Sequence, residues 1–104
     1  MTPEGKLVAY LVKRATAEGF RVRKLSYEGR RGAPDRLILA PGAAAFMEVK
    51  APGEKPRPEQ VRELAILNSA GLHACWVDSK EAIDSVLTEL DLRSWRSLEE
   101  DPYV

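Results

Sequence analysis

Three charged residues, Asp35, Glu48 and Lys50, stand at the ends of two short apolar segments, "DRLILA" and "AAAFMEVK", separated by "PG". Side chains two apart on a strand share a face, so Glu48 and Lys50 project together. Paired as an antiparallel hairpin about Pro41 and Gly42, the start of the first segment lies beside the end of the second. Asp35 then reaches the same sheet edge. Charge in so small an apolar sheet is stable only where it is solvated, paired or bound to a metal. Two carboxylates are hard oxygen donors that suit Mg²⁺ or Mn²⁺. The Val49 carbonyl, between the two charged side chains, is a further oxygen donor. A metal held there activates water, polarises a phosphoryl oxygen and neutralises developing charge. Lys50 adds a compact positive charge for the nucleophile or the transition state. Alone, "PD" or "ExK" reads as a loop acid or a surface ion pair. Together, on adjacent strands, they point to phosphoester chemistry.

The elements that must position these residues follow along the chain. "TPEGKLVAYLVKRATAEG" predicts a helix capped by Thr2, opened by Pro3 and ended by Gly19, with Leu7, Leu11, Ala15, Val8 and Val12 as its apolar stripe. Residues 20–25 alternate and predict a strand. "SYEGRRGAP" is a loop, and the hairpin follows. "APGEKPRP" is a second loop, from which Pro58 opens a helix running to about Ser69. Its inward residues are expected to be Val61, Leu64, Ala65 and Leu67, with Gly71 at the C-terminal cap. "LHACWV" is a fourth strand whose nearly continuous apolar character predicts a central position. Ser79 caps a last helix with Ala82, Ile83, Val86, Leu87 and Leu90 on its apolar side. The tail from Asp91 is acidic and carries Leu92, Trp95 and Leu98. The order αβββαβα predicts an α/β fold, a mixed four-stranded sheet flanked by helices, in a single domain over residues 1–104.

Net charge is zero over 104 residues, but it is divided unevenly. Residues 21–57 hold nine Lys/Arg against four acids, and residues 58–104 hold four against ten. Two of the four acids in the basic segment are Asp35 and Glu48. With those neutralised by a metal, the segment is almost wholly positive and suits a polyanion such as DNA or RNA. Arg30, Arg31, Arg36, Lys55 and Arg57 are its candidate phosphate contacts. No apolar run reaches membrane-spanning length. "MTPEGK" lacks a signal-peptide profile, and a single cysteine, Cys75, excludes an intramolecular disulfide. Both features predict a cytoplasmic protein. His73, the only histidine, lacks the partners a zinc site or a histidine triad needs, and Cys75 is expected to pack.

"GAPD", twelve residues and then "EVK" resembles the PD-(D/E)XK nuclease motif, and the element order resembles that superfamily's restriction-endonuclease-like αβββαβ core. More closely, "GAPDRLIL…FMEVKAPGEKPRPEQVRELAILNSAGLHACWV" resembles the virus-type replication and repair nuclease domain, VRR-NUC. The resemblance covers about residues 2–90 and leaves the tail, 91–104, outside it. It implies that Asp35 and Glu48 are ligands of Mg²⁺ or Mn²⁺, that Lys50 is the catalytic lysine, and that Gln60 lines the site from its helix. Glu4 matches an acidic residue on the family's first helix and is a further candidate ligand; its other reading is a charge favourable to the helix dipole. The implied activity is metal-dependent, structure-selective DNA endonuclease cleavage, in a bacterial or phage-infected cell. Standalone relatives resemble Holliday-junction resolvases, and a roughly two-fold junction cut twice calls for two sites, most simply a homodimer. Leu92, Trp95 and Leu98 are the candidate surface for it. The competing reading is a non-catalytic nucleic-acid-binding module of the same fold.

Overall fold

The first helix, α1 (Pro3–Ala17), begins where the Thr2 hydroxyl accepts the Gly5 N–H at 3.0 Å, with proline in its first turn. It ends at Gly19, whose φ of +81° is the left-handed conformation that releases the chain. In the computed structural model, which describes residues 1–99 with side chains through 97, the chain continues through β1 (Arg21–Lys24), β2 (Arg36–Ala40), β3 (Ala43–Val49), α2 (Pro58–Ser69), β4 (Ala74–Val77), α3 (Lys80–Arg93) and α4 (Trp95–Glu99). The strands lie in the order β1-β2-β3-β4. The first three are antiparallel neighbours, and β4 joins β3 in parallel through the crossover helix α2. The αβββαβα order and the mixed four-stranded sheet flanked by helices are as the sequence implies.

Alternation along β3 divides the molecule in two. Ala45, Met47 and Val49 face α1 and α3, where Leu7, Leu11, Ala15, Ile38, Val77, Ile83, Leu87 and Leu90 complete the main core. Phe46 faces α2 and packs with Leu64, Leu67 and Ala74 in a smaller cluster. Glu48 follows Phe46 on that same face.

Two expectations are corrected, and the tail, left open by the sequence, gains an element. The strand β4 is an edge strand, not a central one, because among the described residues its only neighbour is β3. Its apolar run reflects packing above and below: Cys75 and Val77 join the main core and Ala74 the smaller one. On α2, Val61 is 50% exposed and Ala65 is exposed, while Gln60 and Glu63 are buried beside Leu64 and Leu67. Hydrophobic type alone misplaces this helix's inward arc, because the polar residues on it have partners waiting. The tail, read as an acidic extension, contains α4. The Trp95 N–H donates to the Pro41 carbonyl at 2.9 Å, and its indole lies over the hairpin turn. A Cβ at Gly42, where φ is +75°, would come within 2.1 Å of that ring. Arg96 stacks on Phe20 and pairs with Asp91 and Glu18, fixing α4 against the domain. Leu92 and Trp95 nevertheless remain 68% and 64% exposed. The Leu98 side chain lies outside the described residues.

Candidate active site

The hairpin register sets Arg36 opposite Met47, so Asp35, just before β2, meets Glu48 near the end of β3. Each carboxylate is held by an amide of the other segment. The Asp35 N–H donates to Glu48 Oε1 at 3.1 Å, and the Val49 N–H donates to Asp35 Oδ1 at 3.0 Å. These reciprocal bonds explain how two like charges stay adjacent, since amide dipoles offset part of their repulsion. An extended residue directs its N–H and C=O to one edge. The Val49 carbonyl therefore faces the Asp35 side of β3.

Glu48 is 6% exposed. Burial first, and the Asp35 charge second, raise its carboxyl above the ordinary value of 4.5, against the pull of Lys50. Lys50 Nζ lies 3.3 Å from Glu48 Oε2. Gln60 Nε2 donates to that same oxygen at 2.9 Å. The other end of the Gln60 amide accepts the Arg57 N–H at 2.8 Å, so one buried side chain both caps α2 and orients Glu48. The structure thus brings Asp35, Glu48, Lys50 and Gln60 together.

The remaining candidates divide by what they touch. Arg36 is engaged with Asp35: its Nη1 donates to the Asp35 carbonyl at 2.8 Å and lies 3.7 Å from Oδ2. Arg30 reaches Glu63, at 3.6 Å. Arg31 and Arg57 line a groove with Gly32 and Glu59, where Arg57 pairs with Glu59 at 3.1 Å. Lys55 is exposed on the loop before α2, a loop tied to the end of β4 by the Gly53 N–H on Asp78 Oδ2 at 3.2 Å. Glu4 is exposed on the first turn of α1. Among the described residues no three His, Cys, Asp or Glu side chains gather as a metal-holding group, so Glu4 does not join Asp35 and Glu48 in one. His73 precedes β4, at the sheet end opposite the carboxylates. Burial pushes the Cys75 thiol up to about 11, which suits packing and not nucleophilic attack.

The donor set fits a hard divalent cation. Two adjacent carboxylates share one edge with a peptide carbonyl, and a buried glutamate with a raised pKa gains most from an added positive charge. Two residues beside this set are not evident from the sequence, Tyr27 and Glu63, whose side chains are bonded at 2.8 Å. The available signal was the spacing Gln60, Glu63, Leu64 and Leu67, a single helical stripe that contains two polar residues.

No model of a known family matches the chain. A curated relative, "Putative nuclease p44" of Acyrthosiphon pisum secondary endosymbiont phage 1, is 41% identical over 85 residues, which is 81% of this chain and 90% of the relative. A solved structure titled "VRR_NUC domain" superposes with a TM-score of 0.79 at 41% identity, covering 85% of this chain and 97% of that one. A second, titled "VRR_NUC domain protein", has a TM-score of 0.75 over 89% of this chain and 91% of its own, and at 17% identity it speaks to the fold alone.

Proposed function

The chain belongs to the VRR-NUC family, and from that premise we propose that it is a metal-dependent, structure-selective DNA endonuclease. The observation that carries this reading is the convergence of Asp35, Glu48 and Lys50, with both carboxylates fixed by strand amides and Lys50 Nζ 3.3 Å from Glu48. Mg²⁺ or Mn²⁺, held by Asp35, Glu48 and the Val49 carbonyl, would supply Lewis acidity toward a phosphoryl oxygen and lower the pKa of water. Asp35 and Glu48 hold their charge at a defined spacing. Gln60 keeps the Glu48 carboxylate in one orientation. Lys50 offers positive charge to the phosphate as negative charge grows on it. Arg31, Lys55 and Arg57, whose charged ends are exposed, track the DNA backbone. Arg30 and Arg36 add positive potential while also holding the loop and Asp35.

The finer reading is a homodimer that resolves branched or junction DNA in the cytoplasm of a bacterial or phage-infected cell. The exposed Leu92 and Trp95 support an interface, and the phage relative supports the setting. The test is incubation of labelled linear, flap and four-way DNAs with Mg²⁺ or Mn²⁺ against EDTA, beside sedimentation. Metal-dependent cleavage lost in Asp35→Asn is expected, with paired cuts on junctions by a dimer. Binding without cleavage in any metal would instead make this a non-catalytic module. A monomer that cuts linear duplex as well as junctions would remove the resolvase reading alone.

A further inference from the structure

Glu63 is a charged side chain that this chemistry does not use, and it is only 7% exposed. It lies three residues beyond Gln60, on the same face of α2. Its Oε2 accepts the Tyr27 hydroxyl at 2.8 Å, and Arg30 Nη2 lies 3.6 Å from its Oε1. Tyr27 and Arg30 both belong to the segment that delivers Asp35 to the sheet. The same segment touches α2 a third time at Gly32, where φ is +96° and an added Cβ would lie 2.7 Å from the Glu59 carbonyl. Leucine at position 63 would bury comparable area without direction. A buried carboxylate and a phenol fix both distance and angle.

We propose that the Tyr27–Glu63 bond is a positioning contact for the metal ligands, setting the segment that ends in Asp35 against the helix that orients Glu48. The path is short. From Glu63 it runs along α2 to Gln60 and then to Glu48 Oε2 at 2.9 Å. From Tyr27 it runs along the loop to Asp35, whose N–H meets Glu48 Oε1. Breaking the bond leaves every ligand in the sequence but loosens the spacing between them. The inference rests on the reading of Asp35 and Glu48 as a metal pair.

Tyr27→Phe keeps the ring and removes the hydroxyl. In metal-free protein, hydrogen exchange at the Asp35 and Val49 amides, which carry the reciprocal bonds, should quicken while amides of β1 and α3 keep their wild-type rates. Calorimetry with Mn²⁺ alone should show binding weakened roughly three- to tenfold, less than the ten- to hundredfold typical when a group bonded directly to a ligand is removed. The KM for DNA should hold while kcat falls at limiting Mn²⁺ and recovers in excess. Glu63→Gln, which still offers an oxygen to Tyr27, should stay close to wild type in both exchange and Mn²⁺ binding. Wild-type exchange and Mn²⁺ affinity in Tyr27→Phe would overturn the proposal, as would uniformly faster exchange across α2 and the sheet. If wild-type protein neither binds Mn²⁺ nor cleaves DNA while the two amides still respond to Tyr27→Phe, the nuclease reading falls and the role toward a metal falls with it, leaving only a contact that positions Asp35 against Glu48.

Discussion

The two faces of the sheet are built in opposite ways. Against α1 and α3, residues such as Leu11, Ile38, Ala45, Met47 and Ile83 are completely buried, and the contacts are apolar. Against α2, a small cluster of Phe46, Leu64, Leu67 and Ala74 adjoins three buried polar side chains, Glu48, Gln60 and Glu63. The first face buries area and so provides stability. The second gives up apolar area for direction, and its buried carboxylates depend on specific partners. Apolar packing and buried polar contacts therefore lie on opposite faces of the sheet, although a single strand, β3, serves both.

That separation is most sharply broken or upheld by paired substitutions. Asp35→Asn or Glu48→Gln should reduce cleavage by roughly a hundredfold or more while DNA binding persists and the metal-free fold is not destabilised. Leu11→Ala, on the other face, should cost about 2–5 kcal/mol of stability while cleavage at low temperature persists. Early melting of Asp35→Asn in the absence of metal would show that the faces are not independent. Lys50→Ala refines the comparison within the polar face: its rate should fall on the order of a hundredfold with Mn²⁺ binding retained, as calorimetry can check. Full activity there would reduce Lys50 to a structural partner of the buried Glu48.

Metal linkage comes next in size. Mn²⁺ at a hundred times its Kd should stabilise the protein by about 2.7 kcal/mol, read as a rise in melting temperature. Asp35→Asn should erase most of that rise, whereas Leu11→Ala should start lower and keep it. The smallest effect is one of pH. Burial and the Asp35 charge raise the Glu48 carboxyl above 4.5 in the folded protein. A raised carboxyl favours the fold at pH values below its unfolded pKa, and that contribution is lost as pH rises through the folded value. Urea melts in EDTA should find Glu48→Gln more stable than wild type at neutral pH, with the difference vanishing in acid. A difference that grows in acid would contradict the burial argument.

The order of elements was legible because its signals are local. Thr2 and Ser79 cap helices through their own hydroxyls, onto the N–H groups of Gly5 and Ala82, and the Pro41–Gly42 turn sets the hairpin register that aligns Asp35 with Glu48. What was not legible depends on partners distant in sequence. Val61 and Ala65 look like core residues until the loop carrying Tyr27 and Arg30 supplies Glu63 with its bonds. The run in "LHACWV" looks central because burial on two faces and burial between two strands leave the same apolar signature. The Trp95 tail could be read as an interface or as self-packing, and the structure shows the ring over Gly42 yet still largely exposed.

The placement of the two tryptophans has an optical consequence. Trp76 is the register partner of Glu48 on β4 and shares its face of the sheet. Trp95 sits at the opposite end, over the hairpin turn. One indole is thus on the strand beside Glu48 and the other is remote from it. Mn²⁺, a paramagnetic quencher, should dim Trp76 emission selectively, and Trp95→Phe should leave a single fluorophore reporting on occupancy. The domain carries its own dye, already installed next to the place where an ion would arrive.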